Sequence, residues 1–404
     1  MLLTKTPYVD INDGIKYNAR MKELIKRNQS NFWKIIAILV WLIFLIVLII
    51  LKTNTAICEA WTQSFARWYE TSIGFLFKWI PFSLTEIIII GLFIGAFVFL
   101  TQFTICLLHR QYSKGIGKML SIVLGATIVI GLYQATAEMA YNREHHPVTV
   151  YEEKVEKTEF RKINDYFIAD LNKVSKEMKF DEEGNLISPY SIRETNDLLD
   201  QEFYRLNREY GNYFTPFTTR AKPMLTSFIY RELHITGVTF MPTTEANINT
   251  LNVNALKPIT FAHEILHTKG VMKEEDADFI ALYLMLTSEN PYFKYSGYYF
   301  SISSLYYLAS LTGVSTDYQE VIDSINISFK KNQNFGYYYW KSHNAFADFG
   351  NWVNDIYLKL SGEKEGTSSY NDTPTDVDKE KQEVINFSLY QKLYFKLYYE
   401  ANPK

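Results

Sequence analysis

Hydrophobic and polar positions divide this chain into two contrasting parts. Phe32 to Leu51 is an almost unbroken run of Ile, Leu, Val, Phe and Trp. Twenty helical residues rise about 30 Å, the thickness of a bilayer's hydrocarbon core. Ile87 to Leu108 is a second such run. Met119 to Ala137 is a weaker third, carrying Gly125, Ala126 and Gly131. Small residues of that kind suit close helix contact in lipid. The pattern predicts transmembrane helices over about 32–51, 87–108 and 119–137. After Glu138 the apolar positions become periodic. Val155, Phe160, Ile163, Phe167, Ile168 and Leu171 mark a helix with a charged face. Val238 to Met241 is short, apolar and β-prone, and Pro242 ends it. Helices are expected over 259–269 and 274–287, separated by Gly270, and again over 298–311 and 340–360. Residues 361–381 read as a polar linker and 383–399 as a last helix. The expected order is therefore a segment 1–31, a transmembrane region 32–137, a domain 138–360 and a tail 361–404.

Charge orients this arrangement. Lys16, Arg20, Lys22, Lys26, Arg27 and Lys34 lie before or at the start of the first run. Arg110, Lys114 and Lys118 lie between the second and third, with no acidic residue among them. Between the first and second, Lys52, Arg67 and Lys78 are matched by Glu59, Glu70 and Glu86. The excess of basic residues on cytoplasmic loops predicts a multi-pass protein of the cell membrane. Its N-terminus is expected in the cytoplasm and everything after the third span outside. The first run is too long for a secretory signal. The loop with Trp61, Trp68 and Trp79 is expected to form an amphipathic helix at the membrane surface. A net charge of -3 offers no basic field for nucleic acid. The two cysteines, Cys58 and Cys106, are not expected to pair, and they exclude a cysteine-based zinc finger.

Chemistry concentrates in Lys257-Pro258-Ile259-Thr260-Phe261-Ala262-His263-Glu264-Ile265-Leu266-His267-Thr268-Lys269-Gly270. Pro258 suits the first helical turn and Gly270 the stop after the last. His263 and His267 are four apart, so both imidazoles leave one helix face and can share a metal ion. Zinc takes histidine nitrogen at about 2.0–2.1 Å and keeps one position open for water in catalytic sites. Glu264, about 100° around the helix, can act on such a water without ligating the ion. A third ligand is required. Asp276 is the first candidate, because it shares a helical face with Phe279, Ile280 and Tyr283. Glu275 and Glu274 are the alternatives. HExxH peptidases commonly run an edge strand past the metal, which pairs with an extended substrate. The segment 237–249, with Glu245, Asn247 and Asn249 alternating with Ala246 and Ile248, is expected to do so. Five other histidines stand outside the motif. His145 and His146 read as juxtamembrane surface residues, and His234 falls near the expected strand. His343 is a candidate donor to an oxyanion, in competition with the tyrosines of 292–307 and 337–339.

The strings TEANIN, HEILHTKG, EEDADFIALYL, NPYFKYSGYYF and NDIYLKLSGEKEG resemble the uncharacterised bacterial membrane-protein family called domain of unknown function 3810. That resemblance implies three N-terminal spans followed by an HExxH domain. It also marks Asp276 as the place where Glu is usual in the family. A carboxylate-bearing helix after the HExxH helix is similar to the gluzincin metallopeptidases. The fold expected is thus a three-helix transmembrane region and a mainly α, α+β zincin-like domain with a short edge sheet. The function expected is peptide hydrolysis with one Zn2+ ion, with a peptide or protein as substrate and the lipid bilayer as second partner. An inactive zinc-binding membrane sensor or scaffold is the alternative.

Overall fold

A computed structural model describes residues 11–149, 155–314, 316–361, 366–370, 376–378 and 383–403. The chain is mostly helical. In order it forms α1 (Ile11–Leu51), α2 (Thr55–Trp61), α3 (Arg67–Phe77), α4 (Leu84–Leu108) and α5 (Tyr112–Tyr133). A π-helical turn, Gln134–Glu138, leads to α6 (Met139–Tyr141). Then follow α7 (Lys157–Ser175), α8 (Ile192–Tyr210), β1 (Lys222–Pro223), α9 (Ser227–Glu232), β2 (Gly237–Phe240) and β3 (Glu245–Ile248). Next come α10 (Lys257–His267), α11 (Glu274–Thr287), α12 (Pro291–Ser310), α13 (Asp317–Ser324), α14 (Ile327–Ser342) and α15 (Ala347–Ser361). The strands β4 (Asp376–Asp378) and β5 (Glu383–Asn386) and the helix α16 (Leu389–Ala401) complete the order. Much of the expected polar linker lies outside the described residues.

Two units separate: Met1–Leu51 with Ile87–Gln134, and Lys52–Glu86 with Ala135–Lys404. Three helical stretches are long and apolar enough to cross a membrane: Met21–Leu51, Leu84–Leu108 and Tyr112–Tyr141. Most of their side chains are exposed, which apolar helices tolerate in lipid and not in water. Within the first unit, α1 packs along α5. A Cβ on Gly131 would meet the Trp41 ring at 2.6 Å, so glycine there permits the approach. Gly125 faces open space instead. Lys34 Nζ donates to the Gly117 carbonyl at 2.9 Å, holding the polar ends of the two helices together.

In the second unit, α2 and α3 form the expected amphipathic segment, but its burial is reversed. Cys58, Thr62, Ala66, Glu70 and Gly74, each four apart, face the protein. Trp68 and Trp79 stay exposed. Trp61 turns inward and donates its ring N–H to the Ala135 carbonyl at 2.7 Å.

The sheet has the order β1-β3-β2. β1 runs parallel to β3, with Lys222 opposite Asn247. β2 runs antiparallel, with Gly237 opposite Ile248 and Phe240 opposite Glu245. All four residues of β3 are buried, so the centre of the sheet is occupied by the segment expected at its edge. β2 is the edge strand. α10 packs across β2 and β3. α11 is buried nearly all round and its apolar side chains fill the core with those of α12. A helix apolar on every face is stable only in such a place. The last helix, expected over 383–399, begins at Leu389 and buries Leu393, Tyr394 and Phe395 in the same core.

Candidate metal centre

The start of α10 has Pro258 in its first turn, where a missing N–H costs no hydrogen bond. Its end is a Schellman turn. Gly270, at φ 83°, donates to the His267 carbonyl at 3.1 Å, and Val271 donates to the Leu266 carbonyl at 3.2 Å. Val271 and Leu266 are both buried, as that motif favours. The turn also orients a functional ring. His267 Nδ1 lies 2.8 Å from the Val271 carbonyl oxygen, so Nδ1 carries the hydrogen and Nε2 keeps its lone pair. His263 Nδ1 lies 2.7 Å from Asp278 Oδ1, an ion-pair distance without the alignment of a hydrogen bond.

Both Nε2 atoms converge. They lie 3.0 Å apart. Glu274 Oε2 is 3.1 Å from His263 Nε2 and 3.5 Å from His267 Nε2. Ligand atoms about 2.05 Å from a tetrahedral ion lie roughly 3.3 Å from one another. The three separations bracket that value, so His263, His267 and Glu274 fit a zinc ion. They are the one such group among the described residues whose ligand atoms all lie within 4.8 Å. Burial opposes charge throughout the group. It disfavours protonated His263 and His267, but Asp278 and Glu274 outweigh it and raise both imidazoles. Burial likewise opposes ionised Glu274, yet the imidazoles hold its carboxyl at about 2. A cation shared by the three groups would meet the same acidic surroundings that favour positive charge on the imidazoles.

The expected third ligand is corrected by this geometry. Asp276 Oδ1 lies 2.9 Å from His145 Nδ1, not at the histidine pair. It follows Glu274 by two residues, about 200° around the helix, and so points elsewhere. Glu275 is more exposed and sits 3.6 Å from His145. A sequence signal for Glu274 did exist. Glu274 and Asp278 are four apart, like His263 and His267, so one face of α11 offers two carboxylates to one face of α10. Tyr390 of α16 then donates to Asp278 Oδ2 at 3.2 Å.

Glu264 lies against the edge strand. Thr239 Oγ1 donates to Glu264 Oε2 at 2.7 Å and to the Glu264 carbonyl at 2.9 Å. A Cβ at Gly237 would meet Glu264 Oε1 at 2.4 Å, so only glycine leaves room for the carboxylate. Burial raises the Glu264 carboxyl above its ordinary range, partly offset by the charges of His263 and His267. Neither Gly237 nor Thr239 had been singled out for this role.

The residues expected to bind substrate do something else. Glu245 accepts from the N–H groups of Leu84 at 3.3 Å and Thr85 at 2.8 Å, and it pairs with buried Lys222. Its charge caps the N-terminus of α4, a favourable end for an anion. The Asn247 amide donates to the Val238 carbonyl at 3.2 Å, and that of Asn249 to the Ile235 carbonyl at 3.0 Å. All three are buried; the Glu245 carboxylate and the two amide N–H groups are taken by protein, while Asn247 Oδ1 has no hydrogen-bond partner. What the segment 237–249 does offer is β2. The Asn249 N–H bonds the Thr236 carbonyl at 2.9 Å, which fixes the ladder's phase. Alternate residues then turn their backbone groups outward, and these are Gly237 and Thr239.

The turn after α10 is held by Arg143, which follows the third apolar helix and is itself paired with Glu59. Arg143 Nη1 donates to the Gly270 carbonyl at 2.9 Å, while its other nitrogens take both Glu59 oxygens at 2.8 Å. Lys269 is buried and donates to the carbonyls of Thr215 at 2.8 Å and Phe217 at 3.0 Å. Burial brings its ammonium down to about 7. Glu70, buried beside Thr215 Oγ1, is pushed up to about 7.

His146, His234 and His343 have structural contacts. His146, expected at the surface, is buried among Tyr210, Tyr213 and Phe214. His234 has φ 57° and places Nε2 2.9 Å from the His343 carbonyl oxygen. His343 itself closes α14, with Nδ1 2.8 Å from the Tyr339 carbonyl.

Residues 61–375 match the family described as "Protein of unknown function (DUF3810)". The chain belongs to that family. This DUF3810 chain carries its whole His263–His267–Glu274 group and Asp278 within the matched segment, whereas Tyr390 lies after it. No curated protein matches it. No solved structure matches it.

Proposed function

We propose that this chain is a membrane-anchored zinc-dependent peptidase of gluzincin-like, zincin-type construction. The observation that carries the reading is the convergence of His263 Nε2, His267 Nε2 and Glu274 Oε2 within 4.8 Å, with Glu264 between them and an open strand edge. His263, His267 and Glu274 would hold one Zn2+. When bound, that ion supplies a Lewis acid that polarises a carbonyl and makes a water acidic near neutral pH. Glu264 takes the proton of the attacking water and returns it to the leaving amine, so one residue serves as base and then as acid. Its buried, upshifted carboxyl suits both halves of that task. Thr239 Oγ1 steadies Glu264, and the outward backbone groups of Gly237 and Thr239 pair with an extended peptide. Main-chain pairing of this kind accepts many sequences.

The distribution of basic residues puts the N-terminus in the cytoplasm and the peptidase unit outside. The alternative of an inactive zinc-binding sensor or scaffold drew its motive from the short reach of Asp276. Glu274, one methylene longer, removes that motive.

The test is Glu264→Gln on the full chain. It should retain one zinc per chain and lose peptide hydrolysis by about 100- to 10,000-fold. Equal cleavage by both forms would refute the base assignment. Stoichiometric zinc without cleavage of a broad peptide library by the unsubstituted chain would establish the scaffold.

A further inference from the structure

We propose that Arg143 is a positioning residue of the candidate metal centre: by gripping the Gly270–Val271 peptide it fixes the ring of His267 and sets Glu274 against the histidine pair. The inference rests on the reading of His263, His267 and Glu274 as metal ligands. Two of those residues stand on α10 and the third on α11, so the connecting residues 268–273 decide whether the three groups meet. Helix spacing brings His263 to His267. The place of Glu274 depends instead on the path between the two helices.

Arg143 holds this path at two points. Its Nη1 donates to the Gly270 carbonyl at 2.9 Å. The Val271 N–H, on the other side of the same planar peptide, donates to the Leu266 carbonyl at 3.2 Å. The peptide is therefore held at both edges. Val271 goes on to place its own carbonyl oxygen 2.8 Å from His267 Nδ1. Further along, Lys273 Nζ donates to the Arg143 carbonyl at 2.8 Å, directly before α11 begins at Glu274. One residue thus reaches both the turn just after His267 and the residue just before Glu274.

The grip needs an arginine. Nε and Nη2 each lie 2.8 Å from a Glu59 oxygen, a bidentate pair that aims the remaining nitrogen. The guanidinium also lies over the Tyr213 ring, 4.0 Å from its centroid, where a cation is attracted to the ring face. A lysine has a single nitrogen on a flexible stem and could not serve Glu59 and Gly270 in fixed directions. Gly270 completes the fit. It takes φ 83°, and a Cβ there would meet Thr62 Cγ2 at 3.0 Å and Arg143 Nη1 at 3.3 Å. Arg143 itself is buried. A buried ion pair is commonly no more stabilising than apolar side chains of the same volume, so what this one adds is direction. All of these residues belong to the second compact unit.

Metal titration of the full chain in detergent tests it. Arg143→Gln, Arg143→Lys and Glu59→Gln are compared with the unsubstituted chain. Arg161→Gln is the comparator, because Arg161 pairs with Asp165, Asp317 and Glu320 elsewhere in the same unit. Chelator competition reads zinc affinity, and the visible absorption of Co2+ bound in place of zinc reads the geometry of the site. Arg143→Gln should lose about 10–100-fold in zinc affinity and change the cobalt spectrum. Arg143→Lys keeps the charge without the fork, and Glu59→Gln keeps the fork without its anchor. Each should lose about three- to tenfold, and these two decide the matter if Arg143→Gln does not fold. Arg161→Gln should match the unsubstituted chain in both readouts. An Arg143 that serves stability alone would lower the unfolding midpoint of the metal-free chain and leave zinc affinity and the cobalt spectrum unchanged. That result overturns the proposal. An unsubstituted chain that binds neither zinc nor cobalt overturns the metal centre itself, so the two failures are told apart.

Discussion

The start of α11 and the strand β3 both bury acidic and amide side chains, yet they bury them to opposite ends. In β3, Glu245 has five protein donors: the N–H groups of Leu84 and Thr85, the Thr85 and Thr243 hydroxyls, and the Lys222 ammonium. Nothing is left over for a ligand. At α11, Glu274 meets only two imidazole nitrogens that themselves stand 3.0 Å apart. The ligand atoms of those three groups all lie within 4.8 Å of one another. A buried polar group is therefore informative only once its partners are counted. Satisfied groups hold a fold together, and groups that converge on one point are candidates to hold an ion.

The sharpest way to break that comparison is to remove each carboxylate. Glu245→Ala leaves Lys222 buried without its counter-charge, and breaking such a pair costs about 3–5 kcal/mol. Chemical unfolding should show this loss while zinc stoichiometry stays at one. Glu274→Gln should do the reverse. Partners that only orient zinc ligands are worth about 10–100-fold in affinity, so loss of a ligand should exceed about 100-fold. Asp276→Asn should cost less than about tenfold. Competition with a chromogenic zinc chelator measures all three. An Asp276 effect larger than that of Glu274 would restore the expected ligand set and break the distinction drawn here.

These outcomes also bear on what could be read from sequence. The helix α10 was legible because its determinants are local. Pro258, the four-residue histidine spacing and Gly270 act within one helix, and each does what its chemistry requires. The spans were legible because lipid imposes a length and a composition. The third ligand was not, because choosing among Glu274, Glu275 and Asp276 needs the rotation of α11 about its axis. Tertiary packing sets that rotation; the position of Phe279 and Ile280 in the pattern does not. β3 was misread for a related reason. Alternating polar and apolar residues predict a strand with one wet face, but Thr85 and Lys222 arrive from distant parts of the chain to satisfy Glu245 and keep that face dry. The buried place of His146 likewise depends on Phe214 and Tyr210, which are remote in sequence.

His146 extends the comparison to a satisfied group that can be unbalanced by acid. Burial among aromatic rings and the charge of Arg143 bring its imidazole down to about 4. The neutral ring accepts the Val148 N–H at 3.0 Å. An unfolded histidine titrates near 6.5. Between those values the unfolded chain binds a proton that the folded chain does not, so stability falls as pH falls through that window. The loss from this group between pH 7 and pH 5 should be about 2 kcal/mol. His146→Phe should flatten that part of the pH dependence, measured as the unfolding midpoint at the two pH values. An unchanged slope would show that other groups carry it.

The smallest expected effect falls on Tyr390, and it asks how far the metal centre extends. Tyr390 donates to Asp278 Oδ2, and Asp278 Oδ1 stands 2.7 Å from His263 Nδ1 as its charged neighbour. Tyr390→Phe keeps the ring in its place against Phe300 and deletes only the hydroxyl. Asp278 then loses one partner that holds its carboxylate in place beside the His263 ring. The ring's orientation is less constrained, so zinc affinity should fall by about tenfold or less. Asp278→Asn removes the charge behind His263 and should cost more, within about 100-fold. If Tyr390→Phe shifts the unfolding midpoint but leaves zinc affinity unchanged in the chelator competition, α16 serves the core alone. If affinity falls while the unfolding midpoint holds, the centre reaches past the family-matched segment, through one hydroxyl, into the last helix of the chain.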